Sequence, residues 1–293
     1  QVMYCGIIGN VLFPVWFFQG IQKMRYITIL NMSGRICTML GIFLLVKSPD
    51  DYILAAFLQA CTPLIAGVFS IVWLRKHYTG LFKWPTIGEI INSYKEGWSI
   101  FVSSLAVNLY TATNVVVLGM LTNNVIVGYY SAADKLITCV RRGIYAVSDA
   151  IYPFISKMMK DDISKGLQFI KKQIFLYLVV GLVGCTSLFF FSDTIVKLLF
   201  GADYNLTVDV LRILSFVPLA VAISTVFGEE TMLPLNMNSA YSRTLVLAAF
   251  FSLLSIFPLC YLWGAKGVAM TMLLTEFLIM IIMGGLLRKQ LFQ

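Results

Sequence analysis

Apolar residues in this chain fall into about nine blocks of roughly 18 to 25, each long enough as a helix to cross a hydrocarbon layer of about 30 Å. They run approximately over Val2 to Phe18, Ile27 to Val46, Tyr52 to Leu74, Ile100 to Leu121, Leu136 to Met158, Ile174 to Phe191, Val208 to Phe227, Leu245 to Trp263 and Gly267 to Leu287. Lipid offers no partner to a free amide, so blocks of this length are helices rather than open strands. The expected class is an all-α integral membrane protein. With 59% hydrophobic and 12% charged residues, the short connections leave no room for a soluble domain.

The net charge of +8 does not point to nucleic acid, because the basic residues gather in alternate loops, as they do when they set membrane orientation. Lys23, Arg25, Arg75, Lys76, Lys83, Lys95, Lys157, Lys160, Lys165, Lys171, Lys172, Arg243, Arg288 and Lys289 fall on one side, and Lys47, Lys197 and Lys266 on the other. This predicts a multi-pass protein with a cytoplasmic C-terminus, and nine spans then put Gln1 outside. Gln1 follows no initiator Met, which reads as a chain lacking its N-terminal part.

Three segments divide the chain: spans over 1–74, a polar cytoplasmic linker over 75–97 that is partly an amphipathic surface helix, and a six-span bundle over 98–293. Two similar halves would leave three spans missing from the first. Lys157 to Lys172 reads as a solvated loop. Ser192 to Leu206 reads as an interfacial segment, with TIVKLLF lying flat before Gly201 breaks it.

His77 is the single histidine, and the six cysteines are scattered with no CxxC pair. Neither a metal site nor a His-based catalytic triad is expected, and the cysteines read as small packing residues. No GxxxxGK[ST] loop occurs. The reading assigns no cofactor, no catalytic residue and no nucleic-acid partner.

The chemistry lies in the polar residues inside the apolar blocks. A charge at mid-membrane costs about 2.5 to 3.5 kcal/mol on insertion scales, so such residues face a watery interior. In the Leu136 to Met158 block, Lys135, Arg142 and Asp149 form one stripe at spacing seven, and Thr138, Tyr145 and Tyr152 form a second beside it. Arg141 lies next to Arg142. Lys135, near the block's start, either lines the path or snorkels to the interface.

Arg35 shares a strip with Thr28, Asn31 and Thr38, and either lines the path or forms a buried salt bridge. Ser104, Asn108 and Thr111 recur at helical spacing, with Asn114 at the strip's edge, a pattern that also serves helix packing. The predicted path is thus Arg35, Asn31, Asn108, Thr111, Lys135, Arg141, Arg142 and Tyr145, a cationic cavity for something anionic. Asp149 and Glu276 are candidates for ion coupling or for neutralising an arginine. Glu229 and Glu230 read as solvated at a helix end.

Several motifs resemble those of the Wzx-type flippases of bacterial polysaccharide synthesis. They are VWFFQGIQKM (Val15 to Met24), NMSGR (Asn31 to Arg35), VGYYSAADKL (Val127 to Leu136), IYPFISKM (Ile151 to Met158), LLFGADY (Leu198 to Tyr204) and GAKGVAMTMLLTE (Gly264 to Glu276). In order they cover nearly the whole chain. The resemblance implies a multidrug/oligosaccharidyl-lipid/polysaccharide exporter fold, with two six-helix bundles around a central cavity.

It further implies a bacterial inner-membrane protein that moves a polyprenyl-diphosphate-linked oligosaccharide outward by alternating access, for O-antigen or capsular polysaccharide. Membrane lipids and other polysaccharide assembly proteins are the expected partners. Gln22 stands where that family commonly has an acidic residue. Two rival readings are multidrug or ion-coupled efflux on the same fold, which expects an acidic cavity, and a membrane-embedded polymerase, which expects a large external loop.

Overall fold

The computed structural model describes residues 4–21, 23–48, 51–77, 85–201 and 203–292. Gln22 and Lys83 lie outside the described residues. Among those described there are helices and no strands: α1 (Tyr4–Leu12), α2 (Val15–Gly20), α3 (Met24–Leu45), α4 (Tyr52–His77), α5 (Ile87–Leu121), α6 (Asn124–Asp161), α7 (Ile163–Phe200), α8 (Asn205–Leu214), α9 (Val217–Phe227), α10 (Asn238–Trp263) and α11 (Ala265–Phe292).

Seven described helical segments are long and apolar enough to cross a membrane, which makes this an all-α integral membrane protein. The first apolar block is a shorter segment, Gly6–Gly20, broken at Pro14, where the ring fixes φ and removes a donor. The remaining block lies in α6, which carries Asp134, Lys135, Arg141, Arg142 and Asp149 and is too polar to join the seven.

The chain divides into two compact units, Gln1–Ile87 and Gly88–Gln293. In the first unit, Phe13, Phe18, Ala66 and Leu74 form the core, with Tyr26 and Trp73 packed on it. The helices α1 and α4 approach closely at Gly9, where a Cβ would come within 2.3 Å of the Leu64 amide nitrogen. Thr38 and Thr62 share a 2.7 Å hydrogen bond between α3 and α4.

In the second unit, one apolar core joins α5, α6, α8, α9 and α11 around Leu118, Ile137, Leu211, Leu214 and Val268. Another joins α5, α6, α7, α10 and α11 around Ile155, Ile170, Ala248 and Met283. The α10–α11 hairpin turns at Gly264, φ +55°, and closes at Gly267, where a Cβ would sit 1.9 Å from the Leu259 carbonyl oxygen. That atom is backbone and cannot rotate away. Gly267→Val is expected to destabilise the protein by about 3 kcal/mol or more, whereas Gly184→Ala, whose Cβ would meet nothing within 4 Å, should lower neither detergent melting nor yield and should add about 0.5 to 1 kcal/mol of stability.

Four local expectations change. Residues Lys157 to Lys172 are two helix ends rather than a loop, because Asp162 interrupts the helix for one residue and then caps α7, accepting from the Ser164 and Lys165 amides at 2.9 and 3.2 Å. TIVKLLF is the end of α7 and not a separate interfacial helix, although Gly201, φ +100°, does terminate it. Ile87 to Gly97 belongs to α5 as one continuous helix with the following span. Finally, α6 begins at Asn124, capped by Asn123 accepting from the Ile126 amide at 3.0 Å, so Lys135 sits three turns inside its helix rather than at the start.

The Val208 to Phe227 block is also two helices. After Pro218, near its N-terminus, α9 runs into a π turn at Gly228–Met232. The Leu233 amide donates to the Gly228 carbonyl at 3.1 Å, and the Thr231 hydroxyl to the Val226 carbonyl at 2.7 Å. Such turns recur at functional positions because the wider ring re-aims its side chains.

Candidate functional site

The most developed polar cluster is built in the second unit from α5, α6, α9 with its π turn, and α11. Glu276 of α11 is only 3% exposed. The Tyr110 hydroxyl of α5 donates to its Oε1 at 3.0 Å, and Arg141 Nη2 of α6 lies 3.6 Å from the same oxygen. The pair is a salt bridge by charge but too long for a strong hydrogen bond. Arg141 Nε, also buried, has no acceptor among the described residues. Tyr145, one turn along α6, stands beside the guanidinium.

A second cluster lies around the π turn. Glu230 is 0% exposed, and its two carboxylate oxygens accept from the Ser148 hydroxyl and from Gln173 Nε2, each at 2.6 Å. Glu229, the adjacent residue, lines a cavity of about 230 Å³ together with Ser103, Ser104, Asn108, Tyr145, Ser224, Thr225, Tyr241 and Glu276. The π turn thus sends neighbouring glutamates to two different places.

This changes one expectation. Glu230 is not solvated at a helix end, because the helical path continues across it and packs it inside the unit, while the half-buried Glu229 turns to the cavity. Within this unit Glu229 and Glu276 line the cavity, and Arg141 is engaged with Glu276. The four-residue strip on α3 is packed at one edge, where Thr38 is buried against α4, while Arg35 and Thr28 are exposed.

Of the predicted path residues, the structure brings together Asn108, Arg141 and Tyr145, with Glu276 from the coupling candidates. Thr111 donates to the Val107 carbonyl at 2.8 Å and does not line the cavity. Arg142 and Asp149 are exposed on α6, although Asp149 is close enough to Glu229 to feel its charge. Lys135 belongs to another pocket, of about 440 Å³, with Tyr129, Phe200 and Tyr204. Arg35 and the half-buried Asn31 lie in the first unit.

Sequence reasoning missed Tyr110, Ser148, Gln173, Glu230 and Tyr241. The buried stripe of α5 is Ser103, Ala106, Tyr110 and Asn114, rotated by one position from the Ser104, Asn108, Thr111 strip. A signal for the glutamates was present: extending the seventh block to Met232 would have put both inside a span.

A multi-pass all-α membrane protein with an ion pair and hydroxyl-lined cavity buried in one bundle has the architecture of a transporter. Residues 1–159 match the family described as polysaccharide biosynthesis protein. Over 277 residues the chain is 31% identical to a protein of Shigella dysenteriae named "Putative O-antigen transporter", covering 94% of this chain and 69% of that one. It is 30% identical over 280 residues to the protein of the same name in Escherichia coli (strain K12), covering 94% and 66%. It is also 25% identical over 243 residues to a Haloferax volcanii protein named as a probable low-salt glycan biosynthesis flippase, covering 82% and 50%. The chain belongs to the polysaccharide biosynthesis protein family, and spans about two thirds of the length of the two O-antigen relatives.

Proposed function

We propose that this protein is a flippase that moves a polyprenyl-diphosphate-linked oligosaccharide repeat unit across the bacterial inner membrane by alternating access, with its C-terminus cytoplasmic. The observation that carries the reading is the Tyr110–Glu276–Arg141 cluster beside a hydroxyl-lined cavity, within spans that are otherwise apolar, in a member of this family. A sugar and diphosphate headgroup would lose its hydrogen bonds and charge solvation in hydrocarbon, while the lipid chain can stay there. A polar path removes the first cost without disturbing the second.

In this reading the side chains divide the work. Asn108, Ser103, Tyr145 and Tyr241 offer hydrogen bonds and ring faces to sugar. Arg35 and Arg142, exposed and in no ion pair among the described residues, attract the diphosphate. Glu276 and Glu229 are the groups for ion coupling, and a negative interior favours outward movement of an anion by about 2.3 kcal/mol per charge per 100 mV. The protein is read as a transporter and not an enzyme.

The acidic lining of the cavity favours one competing reading, ion-coupled extrusion of cationic compounds, and one strain separates the two. In a deletion strain, the native full-length polypeptide should restore surface glycan and leave drug resistance unchanged. Arg35→Ala and Arg142→Ala should each lose surface glycan at normal membrane abundance. Normal glycan from both variants would remove the anion path, and drug resistance without glycan would replace the reading.

A further inference from the structure

The pocket of about 440 Å³ that holds Lys135 opens where the start of α6 meets the end of α7 and the start of α8. Tyr129, Ser131 and Lys135 line it from α6, Phe200 from α7, and Tyr204 from the position just before α8. Its volume falls within the range of about 300 to 1,000 Å³ usual for small-molecule sites. It shares no residue with the cavity at Glu276, and its charge is of the opposite kind: a lysine lines it and, among the described residues, no carboxylate does.

The face that carries this pocket is a wet one. Gly128 and Lys135 continue at spacing seven into Arg142 and Asp149, and all four are exposed on one side of α6. Charges repeated along a spanning helix do not face acyl chains, where each would cost about 2.5 to 3.5 kcal/mol at mid-membrane. The other side of the same turns is core, with Tyr130, Ala133 and Ile137 buried. The pocket is therefore a recess in a water-lined wall.

Lys135 has its charge to spare. The lysines nearest this end of α7 and α11 are matched, Lys197 with Asp193 at 2.9 Å and Lys266 with Asp209 at 2.7 Å. Lys135 makes no ion pair among the described residues, and the adjacent Asp134 is half-buried and feels Arg141 instead. The aromatic walls are already set. The Tyr129 and Tyr204 rings stand at 88° with centroids 5.2 Å apart, and Phe200 lies 5.5 Å from Tyr204 at 31°. The Thr207 hydroxyl of α8 donates to the Tyr129 carbonyl at 3.0 Å, which ties together the two elements that carry the perpendicular rings.

A corner of aromatic rings suits a ligand ring with C–H bonds on its face and hydroxyls at its edge, because the face of an aromatic ring is electron-rich and the phenol hydroxyls supply polar contacts. A pyranose is such a ring. An ammonium group brings three donors and forms a charge-assisted bond with a carboxylate. We infer that this pocket binds an acidic sugar, a hexuronic acid residue of the translocated oligosaccharide, an inference that rests on the flippase reading. Tyr129 and Tyr204 contact the sugar ring, Lys135 holds its carboxylate, and Arg142, two turns or about 10 Å along the same face, takes the diphosphate. With the C-terminus cytoplasmic, this end of α6 is the outer one, so the acidic sugar leads and the diphosphate follows.

The test is saturation-transfer NMR titration of the native full-length polypeptide in phosphatidylcholine nanodiscs, with digalacturonic acid as probe. Digalactose, which differs only in lacking the carboxylates, is the neutral control. The acid is expected to bind about tenfold more tightly than the neutral sugar. Lys135→Met should abolish that preference and leave digalactose binding unchanged, while Lys135→Arg should keep it. Tyr204→Leu should weaken both sugars about tenfold, and Lys197→Met, outside the pocket, should alter neither.

Equal binding of the two sugars, or an acid preference that survives Lys135→Met, would overturn the proposal. Displacement of the acid by dihexanoyl phosphatidylglycerol would overturn it too, by making the pocket a site for anionic lipid. The readout is binding and not export, so the two readings fail separately. A polypeptide that restores surface glycan yet binds both sugars alike would defeat the acidic-sugar site and leave the flippase, and one that prefers the acid yet restores no glycan would defeat the flippase.

Discussion

Glu276→Ala is expected to cost about 3 to 5 kcal/mol of stability, because it leaves the Arg141 guanidinium buried without its counter-charge. Arg141 and Glu276 side chains are only 11% and 4% exposed, and the Tyr110 hydroxyl donates to the same carboxylate. Removal of one member therefore strands two polar groups. Arg141→Ala should be similarly damaging, with Glu276 the stranded charge.

The informative variant is the double replacement Arg141→Met/Glu276→Leu. Exchange of a buried pair for apolar residues of similar volume is often neutral or stabilising by about 1 to 4 kcal/mol, so detergent melting should recover toward that of the unaltered protein. Surface-glycan complementation should not recover, since the charged pair beside the cavity is gone. A double variant that exports glycan normally would reduce the pair to a structural element.

The second large effect is expected at Glu230. Its carboxylate is fully enclosed and accepts from Ser148 and Gln173 at 2.6 Å. Glu230→Ala removes both acceptors and opens a cavity under the π turn. Each buried donor left unmade costs about 1 to 3 kcal/mol, giving a combined loss on the order of 2 to 6 kcal/mol before the cavity is counted. Glu230→Gln keeps the shape and one carbonyl acceptor, and the Ser148 hydroxyl can turn to accept from the new amide, so its loss should be about 1 kcal/mol. Equal melting temperatures for the two variants would mean that the hydrogen bonds do not hold the π turn in place.

Much of the helical arrangement was legible in the chain. Long apolar blocks announce membrane helices whatever their neighbours, because the backbone's need for internal partners is local. Arg141, Tyr145 and Glu276 were visible for the related reason that ionisable and polar groups inside such blocks need company. Pattern alone did not reveal which face of each helix turns inward. On α6 the sequence offers Lys135, Arg142 and Asp149 as a stripe at spacing seven, yet that stripe is exposed while Arg141 and Ser148 are the buried neighbours. One position is a rotation of about 100°, and only packing against α5, α9 and α11 selects it.

The π turn was illegible for a different reason. Gly228, Glu229 and Glu230 read as the polar end of a span, because two adjacent carboxylates following an apolar helix are usually solvated. Here, Ser148 from α6 and Gln173 from α7, distant in sequence, supply the donors that let Glu230 go inside. The same holds for the lining of this cavity, to which the fold brings Glu229 and Glu276.

Taken alone, the order of residues determined that this protein is a helical membrane protein, which helices carry charge, and that the charge needs partners. Those properties depend on runs of side chains and on the solvent a bilayer provides. The tertiary structure alone decided which charges meet and which face lines a cavity, because burial and pairing belong to contacts between helices that are far apart along the chain.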